Sequence, residues 1–282
     1  MNKWILGARV RTLPAAIAPV IVGTSLADQI NFRNAFLALI VSLSLQIAVN
    51  YANDYSDGVR GTDSNRIGPT RLVASNLASA NSVKNASIIS FLIAAIAGTV
   101  LAVNTSAWLI AVGFISILAA WGYTGGKKPY GYLGFGELSV FIFFGVVATV
   151  GSYYVQVGQV TSDAILLSIP MGSLSCAILV INNLRDLNQD KLVSKRTLAV
   201  KLGDAKTRIF YLLLLVLAQV SAAAAASINK YALLTLLWIP LTYSAVNQVL
   251  RGASGKELIT ILGKTSKLQF LVALTLAFSL SI

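Results

Sequence analysis

The sequence predicts an all-α protein of the membrane: one domain over residues 1–282, built as a bundle of nine transmembrane helices with a cytoplasmic N-terminus. Of the 282 residues, 56% are hydrophobic and only 11% are charged, which is too apolar for an ordinary soluble domain. Several apolar runs approach the ~20 residues that cross a bilayer as a helix. No alternating ten-residue pattern typical of a membrane barrel is visible, so helices are the structure that satisfies the backbone polar groups in lipid.

The nine predicted spans are apolar runs between charged or turn-rich breaks. The first follows three basic residues, as a signal peptide would, but Pro14 and Pro19 interrupt it and more spans follow. We therefore interpret it as an uncleaved helix. The predicted spans are residues 13–29, 34–53, 86–103, 107–123, 137–158, 164–183, 209–228, 231–250 and 267–282.

The basic residues indicate how the bundle is oriented. Nine spans place the N-terminus and the four long connections, 54–85, 124–136, 184–208 and 251–266, on one side. That side carries all but Arg33 and Lys230 of the 22 Lys and Arg residues. Cytoplasmic loops are rich in Lys and Arg, so this side is expected to face the cytoplasm of a multi-pass protein of the cell membrane. The net charge of +12 is then explained by topology, without a nucleic-acid partner.

Two residue types limit the chemistry that the chain can perform. Histidine is absent, which excludes His-ligated zinc, His-ligated haem and a Ser-His-Asp triad. The one cysteine, Cys176, lies within the apolar run LSCAILV and is predicted to be a packed thiol without a disulfide partner.

The acidic residues are concentrated in two short segments. Half of the ten lie in NYANDYSDGVRGTD (50–63) and INNLRDLNQD (181–190), each at the cytoplasmic end of a predicted span. In the first segment an Asn precedes two Asp by four and seven positions, and in the second by four and eight. These spacings place the side chains on one face of a helix. The residues concerned are Asn50, Asp54, Asp57, Asn182, Asp186 and Asp190.

Stacked carboxylates at the edge of a bilayer repel one another and require nearby positive charge to offset that repulsion. One explanation is a structural ion-pair network with the nearby Arg60, Arg185, Lys191 and Lys195. The explanation we favour is Mg²⁺, which prefers oxygen ligands and usually binds one or two carboxylates together with substrate phosphate. Calcium is less suitable, because no loop supplies the six to eight oxygens that it favours. Asp63 lies outside the helical stripe and is the least expected ligand.

Cations follow both acidic segments and suggest a phosphate substrate. Arg71 follows the first segment and Lys195 follows the second. Arg binds phosphate oxygens bidentately and Lys binds them as a point charge. A polyprenyl diphosphate, with its tail in the lipid bilayer, fits such a site, where cations stabilise the leaving diphosphate and an allylic carbocation forms.

The loop WGYTGGKKPYGYLGFGE (121–137) contains six glycines and three tyrosines. A plain glycine-rich turn would explain its composition. Because the loop lies on the same side as the acidic segments, we predict that it covers the site and binds a planar acidic acceptor. The residues expected to contribute are Tyr123, Lys127, Tyr132 and Glu137.

The two acidic segments resemble the aspartate-rich motifs of the UbiA superfamily of intramembrane prenyltransferases. The stretches ARVRTLPAAIAPV, YTGGKKPYGYLGFGE and INNLRDLNQDKLVSKRTLAVKLG are similar to its naphthoate-prenylating branch. The resemblance covers nearly the whole chain and implies a Mg²⁺-dependent, nine-helix enzyme. The implied reaction transfers a polyprenyl group from polyprenyl diphosphate to 1,4-dihydroxy-2-naphthoate, with loss of CO₂ and diphosphate.

The resemblance also implies roles for individual residues. One Mg²⁺ is assigned to Asn50, Asp54 and Asp57, and another to Asn182, Asp186 and Asp190; catalysis is expected to depend on the four aspartates. The diphosphate is assigned to Arg60, Arg71 and Lys195. Ser194 stands where the branch often has Gly, which leaves the Lys195 cation in place. Glu137 and Tyr132 are candidates for assisting proton transfer or decarboxylation.

Two other functions are compatible with the sequence. The first is a prenyltransferase of the same superfamily with another acceptor, such as 4-hydroxybenzoate or a haem or chlorophyll precursor. The second is a secondary transporter with intramembrane acids, although transporter sites usually lie near the bilayer midplane and these acids lie at helix ends.

Overall fold

The computed structural model describes residues 2–62, 68, 70–126 and 128–282, and within these residues the secondary structure is helical, with no strand. We number the helices α1 to α11 along the chain and join segments that continue one another. They are α1 Lys3–Ala8, α2 Pro14–Ser25, α3 Phe32–Arg60, α4 Ala80–Asn104, α5 Leu109–Gly122, α6 Gly136–Val157, α7 Ser162–Leu192, α8 Leu198–Leu202, α9 Asp204–Ser227, α10 Lys230–Leu250 and α11 Gly255–Leu280.

The all-helical prediction is confirmed, and every predicted span falls on a helix. In the described part of the chain, 7 helices are long and apolar enough to cross a membrane, or up to 8 if Lys3–Thr12 and Pro14–Ser25, which meet at a bend of 52°, form one span. Helix α5 is also apolar, but it has only 14 residues. The count of nine spans therefore stays a prediction.

The largest difference from a predicted boundary is at α11. Helix α11 begins at Gly255, well before the predicted start at residue 267. Its first turn is fixed by a capping box in which Ser254 and Glu257 bind each other's backbone amides. The turns that follow are amphipathic, with Leu258, Ile261 and Leu262 buried, so a search for continuous apolar runs does not detect them.

Helices α3 and α7 extend beyond the predicted spans, and this extension positions the acidic segments. Asn31 and Thr161 cap their N-termini with side-chain oxygens. Helix α3 continues to Arg60 and ends at Gly61, whose φ of 70° is the left-handed conformation in which glycine commonly terminates a helix. The acidic segments are thus the last turns of two long helices.

Helix α7 is the centre of the bundle. Its side chains Met171, Leu174, Ile178 and Ile181 are buried, and it packs against α2, α6, α9 and α11. Helix α4, by contrast, packs mainly on α3 and leaves an isoleucine-rich face exposed, as expected of a helix in contact with lipid.

The helices around α7 approach closely at glycines. Residues Phe141–Val147 of α6 form a π-helical segment, in which Gly145 faces Gly172 of α7. A Cβ atom on Gly145 would lie 2.6 Å from the Cα of Gly172. Such contacts between small residues let helix backbones pack tightly where no water is present to drive association.

A cavity of about 920 Å³ lies within the bundle, beside α3. Along this helix its wall runs from Ala38 to Asp57. At a rise of ~1.5 Å per residue this is roughly 28 Å, close to the thickness of the hydrocarbon core. Most of the lining is apolar, including Leu45, Val49 and Phe144, whereas the end near Asp57 is polar.

Replacement of Gly145 by Ala is expected to destabilise the protein by about 1–3 kcal/mol, because the added methyl group overlaps the backbone of Gly172. Thermal unfolding in detergent measures the effect. Gly263→Ala is the matched control: a Cβ there has nothing within 4 Å, so the greater helix propensity of alanine should leave stability unchanged or raised. Equal melting temperatures for the two variants would contradict the packing argument.

Candidate active site

Five of the six predicted metal ligands line the polar end of the cavity. Helices α3 and α7 bring them together from sequence positions more than a hundred residues apart, on the last turns of the two helices. The five are Asn50, Asp57, Asn182, Asp186 and Asp190, and Arg71 and Lys195, both predicted to bind diphosphate, lie in the same wall.

Asp54, the sixth predicted ligand, does not line the cavity. It is 1% exposed, and its carboxylate oxygens accept hydrogen bonds from the backbone N–H groups of Leu72 (2.9 Å) and Val73 (3.0 Å). These bonds hold the segment that carries Arg71 against the end of α3. In this structure Asp54 therefore organises the wall of the site, and its role as a metal ligand stays a prediction.

Asp57 joins the first acidic segment to the glycine-rich loop and to the segment that follows α7. The Tyr132 hydroxyl donates a hydrogen bond to it, and the Lys195 ammonium lies 3.6 Å from its Oδ2 atom. Burial, together with the charge of Asp57, raises the pKa of Tyr132 well above its ordinary value, so the phenol remains a donor at physiological pH.

Tyr132 also contacts two of the three predicted diphosphate cations. The Lys195 ammonium lies 4.6 Å and the Arg60 guanidinium 5.3 Å from the centre of its ring. Arg60 donates to the backbone carbonyls of Thr124 and Gly126 and does not line the cavity. Its observed contacts fasten the glycine-rich loop to α3, and direct diphosphate binding by Arg60 stays a prediction.

Arg185 is a site residue that the sequence analysis assigned only to a possible ion-pair network. Its guanidinium binds both carboxylate oxygens of Asp186 at 2.8 Å and the Asn182 side-chain oxygen at 2.8 Å, and it lines the cavity. Gly68 lies directly against it, since a Cβ there would be 3.3 Å from the central guanidinium carbon. The three-residue spacing from Asn182 is the signal that would have placed Arg185 on this face.

Asn50 and Asp190 fix the neighbouring chain segments. The Asn50 amide donates to the Ala8 carbonyl oxygen at 2.9 Å, which brings the end of α1 to the cavity. Asp190 accepts the Thr197 hydroxyl at 3.5 Å, and its backbone oxygen accepts the Lys195 N–H at 2.9 Å. The sequence analysis missed the polar wall residue Thr197, since threonine has no pattern that distinguishes it from an ordinary N-cap.

The predicted residues of the glycine-rich loop have different locations. Tyr123 and Tyr132 line the cavity, whereas Glu137 lies behind the wall and accepts a 3.0 Å hydrogen bond from Asn183, which does line it. Lys127 and Asp63 fall outside the described residues. Asn183 was missed, although it directly follows Asn182 in the sequence.

The chemistry of the donor set is suited to Mg²⁺. In the described part of the chain no three Asp, Glu or Cys side chains are close enough to hold an ion by themselves. The cavity end nevertheless offers aspartate carboxylates and asparagine oxygens on two facing helices, next to cations. These are hard oxygen donors in the number that Mg²⁺ uses when substrate phosphate and water complete its coordination.

The chain belongs to the UbiA prenyltransferase family, whose sequence profile matches residues 16–276. Among similar proteins, the 1,4-dihydroxy-2-naphthoate octaprenyltransferase of Mycobacterium tuberculosis is 48% identical over 282 residues, 99% of this chain and 97% of that protein. The protein of the same name from Escherichia coli is 37% identical, covering 94% of this chain and 91% of the relative.

Solved structures share the fold at low sequence identity. A UbiA homolog from Aeropyrum pernix has a TM-score of 0.73 at 12% identity, covering 95% of this chain and 96% of that one. A UbiA homolog from Archaeoglobus fulgidus bound to GPP and Mg²⁺ has a TM-score of 0.68 at 12% identity, and the match covers 98% of this chain and 100% of that one.

Replacing Asp54 by Ala is expected to loosen the segment after the first acidic motif, because two backbone N–H groups lose their acceptor. Leaving such buried donors unpaired costs about 1–3 kcal/mol each. Hydrogen–deuterium exchange should become faster at residues 72–73, with a lower melting temperature. Asp28→Ala, at an exposed position, serves as the control. Unchanged exchange at residues 72–73 would contradict the proposed anchoring.

Proposed function

We propose that this protein transfers a polyprenyl group from polyprenyl diphosphate to 1,4-dihydroxy-2-naphthoate, releasing CO₂ and diphosphate and forming demethylmenaquinol. The observation that carries the proposal is the cavity, which is acidic and cationic at one end and mainly apolar over the remaining depth of the bundle. A diphosphate with a long apolar tail has the same division of polarity. The identity of the acceptor is inferred from the relatives, which are 1,4-dihydroxy-2-naphthoate octaprenyltransferases.

The diphosphate is proposed to lie at the polar end, between α3 and α7. Arg71 and Lys195 line this end and supply positive charge, while Arg60 keeps the glycine-rich loop closed over it. Lys195 can leave Asp57 for a phosphate oxygen by a small movement, since it is 3.6 Å away and only partly buried. Cations placed where the leaving group gains charge favour its departure.

Asn50, Asp57, Asn182, Asp186 and Asp190 are proposed to hold Mg²⁺, with Asp54 contributing if its segment shifts. When bound, Mg²⁺ would neutralise the diphosphate and stabilise the charge that it gains as it departs. Arg185, which now binds both oxygens of Asp186, would then share this carboxylate with the metal or turn toward the diphosphate.

The apolar part of the cavity is proposed to hold the prenyl tail and to exclude water from the allylic cation. Its wall near the polar end includes Val49, Ile178 and Leu179. Tyr123 and Tyr132 close the cavity from the loop side, where the planar acceptor would enter. The acceptor ring carbon that bears the carboxylate then attacks the cation, and the carboxylate leaves as CO₂, so that the electron pair of the broken C–C bond restores the aromatic ring.

Asp186→Ala is expected to lower Mg²⁺-dependent prenyl transfer by about a hundredfold, because it removes a charged group from the reacting end of the cavity. The assay supplies a labelled prenyl diphosphate with 1,4-dihydroxy-2-naphthoate or 4-hydroxybenzoate, and mass spectrometry identifies the product. Asp163→Ala is the matched control, at the exposed opposite end of the same helix.

Two results would overturn the proposal. Full activity of the folded Asp186→Ala protein would exclude the site, and prenylation of 4-hydroxybenzoate alone would exclude the acceptor.

We also propose nine spans in the cell membrane, with the N-terminus and the polar end of the cavity in the cytoplasm. The support is the distribution of Lys and Arg. In intact cells a membrane-impermeant maleimide should label Lys230→Cys and spare Lys256→Cys; inverted vesicles should give the reverse. The single native thiol, Cys176, is buried and serves as the unlabelled background. Labelling of both variants from one side would contradict this topology.

A further inference from the structure

The contact between Glu137 and Asn183 has no place in the reaction described above. Glu137 is 5% exposed, near the start of α6, and its Oε1 atom accepts a hydrogen bond of 3.0 Å from the Asn183 side-chain nitrogen. Its second oxygen, Oε2, is buried and makes no hydrogen bond to the residues that the structure describes. A carboxylate held this way in an apolar bundle is costly, so a function for it is expected.

Glu137 determines which end of the Asn183 amide faces the cavity. Of the two ends of the amide, only the nitrogen can donate to a carboxylate. The carbonyl oxygen Oδ1 must therefore point away from Glu137. Asn183 lines the cavity, and its Oδ1 accepts no hydrogen bond from the described residues. The wall thus presents an oriented hydrogen-bond acceptor, and Glu137, which does not reach the cavity, positions it.

Tyr123 provides a donor near the same turn of α6. It also lines the cavity, and its hydroxyl lies next to Gly136, since a Cβ there would be 3.2 Å from the hydroxyl oxygen. Gly136 and Glu137 are consecutive residues, so the Tyr123 hydroxyl and the Asn183 amide both lie near the first turn of α6. Within the described part of the chain the Tyr123 hydroxyl makes no hydrogen bond, unlike that of Tyr130, which donates to the Ala119 carbonyl oxygen at 2.8 Å.

One donor and one acceptor near the same helical turn match a hydroxyl group, which donates and accepts at the same time. We propose that Asn183 and Tyr123 bind a phenolic hydroxyl of the aromatic acceptor, and that Glu137 is a positioning residue that orients Asn183 for this contact. The inference rests on the proposed function only in taking the acceptor to be a hydroxylated aromatic acid.

Equilibrium binding to the full-length protein tests this proposal without turnover. The protein is saturated with Mg²⁺ and inorganic diphosphate, which occupies the polar end and supplies no prenyl group. The probes are 1,4-dihydroxy-2-naphthoate and its two analogues that each lack one hydroxyl. The wild type should bind one analogue about tenfold more weakly than the dihydroxy acid, the effect of one hydrogen bond in a buried site.

The variants show whether Asn183 is the cause of this difference. Asn183→Leu should bind the dihydroxy acid and that analogue equally, and Tyr123→Phe should lose part of the discrimination. Glu137→Leu should behave like Asn183→Leu. Glu137→Gln can still accept a hydrogen bond from the Asn183 nitrogen and should therefore retain the discrimination between the dihydroxy acid and the analogue. In turnover assays Glu137→Leu should raise the acceptor KM and leave that of the prenyl diphosphate unchanged. If Glu137 had only a structural role, its replacement would alter the KM values of both substrates.

Ser116→Ala is the matched control, because Ser116 lines the cavity but donates its hydroxyl to the Val112 carbonyl oxygen at 2.7 Å, and it should retain full discrimination. Thermal unfolding identifies any variant that fails to fold, in which case Tyr123→Phe and Glu137→Gln carry the test. Full discrimination by folded Asn183→Leu, or none by the wild type, would overturn the inference. If the wild type binds 4-hydroxybenzoate and no naphthoate, only the proposed acceptor fails, and comparison with benzoate then tests the same hydroxyl contact.

Discussion

The structure depends on satisfying four aspartate carboxylates at the edge of an apolar bundle. Asp54, Asp57, Asp186 and Asp190 are each less than a tenth exposed. An unpaired carboxylate in such a place is strongly destabilising, so each one requires hydrogen-bond donors. Asp54 takes backbone N–H groups, Asp57 a phenol and an ammonium, and Asp186 a guanidinium. The segments that supply these donors are thereby drawn to the ends of α3 and α7.

This requirement explains why three separate connections meet at one place. The segment after α3, the glycine-rich loop before α6 and the segment after α7 each contribute a group that contacts an aspartate. The same contacts bring Arg71, Tyr132 and Lys195 to the mouth of the cavity. The charges that stabilise the folded site are therefore the ones proposed to bind the diphosphate.

The sequence predicted much of the fold and of the site because both leave periodic signals. Apolar runs located the helices, and the repeated spacing of Asn and Asp predicted two facing sets of oxygen ligands, five of which line one cavity. The amphipathic beginning of α11 was missed because it lacks an apolar run. Asn183 was missed because its role depends on which neighbour its side chain meets, and spacing alone does not give this. The spacing does place Arg185 on the face of the site, but the sequence analysis assigned it only to a possible ion-pair network.

The sequence by itself determined the class of protein, because its composition requires a membrane environment. Its two matched acidic motifs predict a metal–diphosphate site. Only the tertiary structure decided how these residues are used. In the folded chain Asp54 accepts a hydrogen bond from the backbone N–H of Leu72. The ring of Tyr132 contacts both Arg60 and Lys195, and Glu137 accepts a hydrogen bond from Asn183. The physical reason is that periodicity is a property of one helix, whereas hydrogen-bond partners are set by how several helices and loops pack together.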